Sequence, residues 1–265
     1  MARKVLIATP IKLGLTGTYM TGLIPTLLSK FPDVEVEHCI LEGPSVNFAR
    51  NECAHYAMKI GARELLFIDD DMGWTLDHFT RIISHADLDI VAGVYCKRRP
   101  GKPFWLMNTI PGKEIDPATG LLEVSEIATG FMKIRVDTVL EKMKQEYPDR
   151  EYFDKPEEGK PVTAWEFFPM GVRGGRSADA RLKRVKQALA RVDFHEGEFR
   201  EAVWKACYDE QGTGTLFGED YYFCQLAREC GFRIYADFGM PIIPHVGEAA
   251  FPITSEMVGI DTSNA

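Results

Sequence analysis

The chain has no Cys-x-x-Cys pair, no glycine-rich phosphate loop, no internal repeat and no apolar run long enough to cross a bilayer. Each absence removes a class. The six cysteines (Cys39, Cys53, Cys96, Cys207, Cys224 and Cys230) mostly fall in apolar periodic segments. They read as reduced core thiols, not as a disulfide framework or a zinc site. The loop carrying Gly14, Thr16 and Gly17 matches neither GxGxxG nor GxxxxGK[ST], so it is neither a dinucleotide fingerprint nor a P-loop. Met1-Ala2-Arg3-Lys4-Val5 lacks the apolar core of a signal peptide, and a cytoplasmic protein is expected. Positive charge is in deficit. A net charge of −8 argues against bulk electrostatic binding to nucleic acid or anionic membrane, though not against a local basic patch.

What is present is ordinary globular sequence. With 265 residues, 45% hydrophobic and 26% charged, the chain suits one large α/β domain over 1–265. Val5 to Pro10 reads as a buried strand ended by Pro10. Tyr19 to Ser29 reads as a helix and Val34 to Leu41 as a second strand. Ser45 to Ile60 is a helix with Val46, Ala49, Cys53, Ala57 and Ile60 on one face and Ser45 as N-cap. Thr75 is expected to cap a helix striped by Phe79, Ile82, Ile83 and Ala86. Asp89 to Tyr95 is a further strand. Phe104 to Met107 and Leu121 to Val124 read as short strands of a hairpin-like excursion. A small-residue turn, Ala128-Thr129-Gly130, feeds the strand ending at Ile134, and Val136, Val139, Leu140 and Met143 form a helical stripe. Gly218 precedes a helix starting at Glu219-Asp220 and ending at Cys230-Gly231. Ile234 to Ala236 is a short strand, and His245 falls in a loop.

The stretch with most chemical content is Leu65-Leu66-Phe67-Ile68-Asp69-Asp70-Asp71. A short apolar run reads as a strand buried on both faces, and it ends in three carboxylates. Adjacent anions repel, and a hard divalent cation offsets them with its preferred oxygen ligands. In open α/β sheets, ligands collect beyond the carboxyl ends of strands. A solvated acidic turn is the plain alternative. The strand ending at Tyr95 runs into Lys97, Arg98 and Arg99, three cations on the expected rim, where they either face a diphosphate or form a solvated loop. Arg50 lies near a helix N-terminus, against the dipole. It either contacts a nucleotide or pairs with a nearby carboxylate.

Tyr147 to Thr215 differs in character and reads as an insertion in the core fold. It is charged and proline-rich at first, then carries Gly174-Gly175 and a helix with Leu182, Val185, Leu189 and Val192 on one side. From Arg173 to Arg191 there are seven cations and one anion, a net of +6 in an acidic chain. A polyanion contact and a solvated helix face are both open readings.

Taken in order, Asp69-Asp70-Asp71 after a buried strand, Gly218-Glu219-Asp220 opening a helix, and the late His245 resemble the nucleotide-sugar glycosyltransferases of the GT-A fold, of the family-2-like kind. The resemblance runs from Val5 to Gly247, apart from the basic insertion. It implies a GT-A-like (Rossmann-like) α/β fold with a mixed, mostly parallel sheet flanked by helices. It implies a DxD-type motif holding Mn²⁺ or Mg²⁺ against the diphosphate of a sugar nucleotide, with a UDP-sugar favoured. Asp69, Asp71 and His245 are then the expected metal ligands, Asp71 the surest, with Asp69 or Asp70 serving ribose or a bound water. Asn47 and Arg50, in a segment similar to the base-contacting helix start of these enzymes, go with Thr9, Pro10, Lys97, Asp69 and Asp70 to the nucleotide. Gly130 and Phe131 match the acceptor-side glycine loop, and Arg181 and Arg184 extend that side.

Transfer breaks the bond from the anomeric carbon to a diphosphate, so negative charge develops on the leaving group, where a metal and nearby cations stabilise it. Asp69 and Asp71, two apart, reach one ion if the strand end stays extended. Asp220 is the candidate base for an acceptor hydroxyl, with Glu219 orienting it or holding the acceptor. In-line attack would invert the anomeric carbon, and retention stays open. The acceptor is a glycan hydroxyl or an anionic polymer such as DNA carrying hydroxymethylated pyrimidines. Two other classes remain: a sugar nucleotidyltransferase, for which Thr9 to Gly17 is a poor loop, and a non-catalytic nucleotide-sugar-binding module.

Overall fold

The run Leu65-Leu66-Phe67-Ile68 forms a strand in which every residue is buried, as its unbroken apolar character requires. The computed structural model describes residues 2–11, 14–98, 104–157, 160–173 and 215–246. In chain order these form β1 (Arg3–Ile11), α1 (Gly17–Leu28), β2 (Val34–Glu42), α2 (Val46–Lys59), β3 (Glu64–Ile68), α3 (Leu76–Ser84), β4 (Ile90–Gly93), β5 (Met107–Thr109), β6 (Leu121–Ile127) and β7 (Phe131–Arg135). A π-helical turn (Val136–Leu140) continues as α4 (Glu141–Glu146), followed by β8 (Glu151–Glu157), β9 (Lys160–Trp165), β10 (Gly171–Arg173), β11 (Thr215–Phe217), α5 (Glu219–Glu229) and β12 (Ile234–Asp237).

The main sheet has the order β2-β1-β3-β7-β4-β12-β6-β5. Pairing directions set β7 and β6 against the other six strands, so the sheet is mixed and mostly parallel, of a Rossmann-like α/β kind. Alternation along the strands builds a core on each face. Leu6, Ala8, Leu65 and Phe67 pack with Cys53, Ala54 and Ala57 of α2 and Phe223, Leu226 and Ala227 of α5. Val5, Ile7, Leu66 and Ile68 pack with Tyr19 and Leu23 of α1 and Phe79, Ile82 and Ile83 of α3. The carboxyl ends of β1, β2, β3, β4 and β12 therefore share one rim.

Local readings hold with adjustments. Thr75 caps α3 in a box, accepting from the His78 N–H while the His78 ring accepts from the Thr75 N–H. Ser45 precedes α2, but its hydroxyl donates to Asn47 instead of capping. Pro10 does not end β1. Pairing to β3 stops at Ala8, so a residue without an N–H beyond it costs that ladder nothing, and the strand continues to Ile11 beside β2. The excursion strand expected at Phe104 to Met107 lies at Met107–Thr109 instead. The five described cysteines are free thiols.

The stretch after Tyr147 is more deeply tied to the core than an insertion implies. The Asn51 amide oxygen accepts from the N–H groups of Phe167 and Phe168 at 2.8 and 3.0 Å. Phe168 stacks on Phe223 with ring centroids 4.5 Å apart and meets Phe67 edge-on at 5.3 Å. The basic segment expected to carry a helix, with Arg181 and Arg184, lies outside the described residues. No described helix is long and apolar enough to cross a membrane.

Candidate active site at the carboxyl rim of the sheet

The three aspartates fan out because β3 ends at Ile68. The Met72 N–H bonds the Asp69 carbonyl at 3.0 Å and closes a turn, so the extended geometry that would aim Asp69 and Asp71 together is lost. Each aspartate's backbone is tied to a different element. The Asp69 N–H donates to the Gly130 carbonyl at 3.0 Å. The Asp70 carbonyl accepts the Thr16 hydroxyl at 2.9 Å. The Asp71 carbonyl accepts the Val246 N–H at 2.8 Å. Next to it, Gly73 donates to the Pro244 carbonyl at 2.7 Å, and a Cβ at Gly73 would stand 2.7 Å from the Thr18 methyl. The same Cβ would stand 3.2 Å from the Pro244 Cβ, so the lack of a side chain at Gly73 lets α1 and the late chain segment both lie this close.

Arg50 links the rim to α5. It is 3% exposed and grips Asp69 with two bonds of 3.0 Å, while its Nε donates to Glu219 at 3.3 Å. The guanidinium lies over the Phe67 ring, 5.2 Å from its centroid. Burial works against the Arg50 charge, but Asp69 and Glu219 more than restore it, and its pKa stands above the ordinary arginine value. Of the two readings open for Arg50, pairing with carboxylates is the one realised. Both Asp69 oxygens accept from Arg50, whereas the partners of the Asp71 carboxylate are His245 and Arg98.

Asp71 and His245 do come together, with Oδ2 and Nε2 3.4 Å apart. His245 Nδ1 lies 2.7 Å from the Cys96 carbonyl. A carbonyl only accepts, so Nδ1 carries the hydrogen, and Nε2 is the nitrogen facing the carboxylate. Two electron-rich atoms face each other stably only with a proton or a metal between them. Arg98 reaches the same Asp71 oxygen at 3.0 Å and also donates to the Val246 carbonyl at 3.0 Å. Burial raises the Asp71 carboxyl, but the His245 hydrogen bond and the His245 and Arg98 charges hold it below the ordinary value. Among the described residues no three His, Cys, Asp or Glu side chains form a metal cluster. Asp71 and His245 present a carboxylate oxygen and an imidazole nitrogen, donor types that a divalent ion such as Mn²⁺ accepts.

Glu219 and Asp220 open α5. The Asp220 carboxylate accepts its neighbour's N–H, from Tyr221, at 2.7 Å. Burial first, and the charge of Glu219 second, push Asp220 up to about 6.

The remaining expected residues divide. Gly130 is pressed under Tyr95, where a Cβ would stand 2.5 Å from the Tyr95 hydroxyl oxygen, and that oxygen accepts the Gly130 N–H at 2.8 Å. Phe131 is wholly buried beside Trp74 and His78. It is a core residue, and the expectation of an acceptor contact is corrected. Thr9 is likewise wholly buried, its hydroxyl taken by Tyr19 and His38, and Pro10 beside it is buried, so neither presents a surface to a nucleotide. Asn47 is half-buried and lines a cavity of about 480 Å³ with Phe48, Asn51, Arg150, Tyr152 and Glu166. Lys97 is exposed on the rim. Sequence reasoning missed Tyr95, whose ring also meets His245 edge-on at 5.3 Å. The signal was an aromatic hydroxyl at a strand end just before the cations.

No protein-family model matches the chain, and no curated protein matches its sequence. Among solved structures, the crystal structure of A197 from STIV matches 96% of this chain and 87% of its own, at 13% sequence identity and a TM-score of 0.43.

Proposed function

We propose that the protein transfers a sugar from a nucleoside-diphosphate sugar to a hydroxyl acceptor, with a divalent metal held by Asp71 and His245. The observation that carries this reading is the Arg50 bridge. It draws Glu219, and with it Asp220, to the end of β3, so a raised carboxylate and a carboxylate–imidazole pair share one rim. When bound, the metal supplies charge stabilisation to the departing diphosphate. Asp220 takes the proton of the acceptor hydroxyl as its oxygen bonds to the anomeric carbon. The bond from that carbon to the diphosphate breaks, its electron pair leaving with the phosphate oxygen, and a single displacement inverts the centre. A base near 6 is ionised at neutral pH yet still basic enough to draw the proton. Glu219 orients the start of α5 through Arg50, and Arg98 and Lys97 bring positive charge to the diphosphate side. The net +6 between Arg173 and Arg191 favours an anionic acceptor, with DNA bearing hydroxymethylated bases offering hydroxyl and phosphate together.

The test is incubation with a panel of nucleotide sugars and Mn²⁺, following free nucleoside diphosphate with and without acceptor. Release that depends on metal and is abolished in Asp71→Asn supports the reading. Full release after EDTA treatment removes the metal from it, and no release from any donor removes the activity.

A further inference from the structure

Arg98 stands where a metal ion would have to come. Its guanidinium lies 3.0 Å from Asp71 Oδ2, the same oxygen that faces His245 Nε2 at 3.4 Å. It also donates to the Val246 carbonyl, one residue past His245. One side chain thus clips both halves of the Asp71–His245 pair. Its partners are surface-side ones, since the Arg98 side chain is 41% exposed and that of Asp71 20%. A cation bound to this oxygen and this nitrogen would lie within a few ångströms of the guanidinium. Two cations on one carboxylate oxygen repel, and that oxygen cannot serve both at full strength.

We propose that Arg98 is an exchanging cation: it holds Asp71 in the metal-free protein, yields that carboxylate to the divalent ion, and passes to the diphosphate that the ion brings. This rests on the reading of Asp71 and His245 as the metal pair, and it adds what keeps them in place before the metal arrives. The contacts to Asp71 and to the Val246 carbonyl are both made by one guanidinium nitrogen, Nη1, whereas the planar fork of a guanidinium grips the oxygens of a phosphate in pairs. The exposure of Arg98 leaves it room to turn. In the metal-free protein the clip offsets the Asp71 charge and holds the His245 segment against β3's end. In the loaded protein the same charge meets a diphosphate, which carries more negative charge than one carboxylate.

The exchange predicts effects of opposite sign from one substitution. Arg98→Gln removes the competitor, so Mn²⁺ alone, titrated by electron paramagnetic resonance without nucleotide, should bind about tenfold more tightly than to wild type. At saturating Mn²⁺, a nucleoside diphosphate should bind Arg98→Gln about tenfold more weakly, having lost a charge-assisted contact. Arg98→Lys, which keeps the charge and loses the fork, should fall between on both scales. A structural clip alone would weaken both affinities together. Unchanged or weaker Mn²⁺ binding in Arg98→Gln overturns the proposal, as does diphosphate binding that does not fall. Failure of both proteins to bind Mn²⁺ overturns it together with the metal pair. If the opposite shifts occur and no donor sugar is ever transferred, the exchange stands and the transferase reading alone falls.

Discussion

Asp220 is held in a setting that suits chemistry and opposes stability. Its folded-state pKa of about 6 stands above the ordinary 3.8, so the folded chain binds this proton more tightly than the unfolded one. Stability therefore falls as pH rises from about 4 to about 6, and above 6 the cost is fully present. Asp220→Asn keeps the oxygen that accepts the Tyr221 N–H and removes the charge. Its melting temperature should match wild type near pH 4 and exceed it increasingly up to pH 7, while turnover falls by about two to four orders of magnitude. A melting difference independent of pH would show that Asp220 is not the strained group. In wild type, kcat/KM should decline by about tenfold per pH unit below about 6, because a base must be ionised to act. Arg50 is the opposite case, a buried charge whose removal strands two carboxylates. Arg50→Met should cost about 3–5 kcal/mol in urea unfolding, and Arg50→Met/Glu219→Gln should recover part of it. Purely additive effects would mean that the 3.3 Å contact carries no coupling.

At the scale of elements, the turn from Asp69 to Met72 and the anchoring of Phe167 and Phe168 on α2 shape the site most. Asn51 projects from the second turn of α2 and holds two buried N–H groups of a segment more than 100 residues later. That segment delivers Phe168 between Phe67 and Phe223, under the ring on which Arg50 lies. Asn51→Ala leaves both amides without their acceptor, at about 1–3 kcal/mol each. The urea midpoint should fall accordingly, and Asn51→Asp, which keeps the acceptor, should lose less. Equal losses in the two variants would point to packing of the side chain, not to the hydrogen bonds. β7 carries a similar surprise. It reads as an apolar strand, yet its Lys133 is wholly buried and satisfied by Glu64 and the carbonyls of His85 and Leu88.

Over the whole molecule, the acidic chain and its basic segment make opposite electrostatic claims on an acceptor. Screening limits clustered charge to about 8–10 Å at physiological salt, so a polyanion held by the region from Arg173 to Arg191 should lose affinity steeply as salt rises. Affinity for DNA carrying hydroxymethylated pyrimidines should show that slope in wild type and a shallower one in Arg181→Ala/Arg184→Ala. A flat response would redirect the acceptor to a neutral saccharide. The α/β architecture was legible in the sequence because burial on both faces leaves unbroken apolar runs, as in β3, and amphipathic helices leave three-and-four spacing, as in α2 and α3. The rim position of Asp69 to Asp71 was legible for the same reason, since a carboxylate run cannot continue a buried strand. Partnership was not. Whether Asp69 faces an ion or an arginine depends on where a turn closes and on which helix crosses above it. Whether Phe131 or Thr9 meets a ligand depends on packing by Trp74, His78, Tyr19 and His38, which are scattered along the chain. Local sequence by itself determined most strands and helices of the main sheet and where charge must emerge from them, but not the paired strands β8–β9 and β10–β11, which carry no unbroken apolar run. Only the tertiary structure decided which side chains meet, because those pairings join residues up to 174 positions apart, and side-chain chemistry alone does not rank competing partners that differ only in geometry.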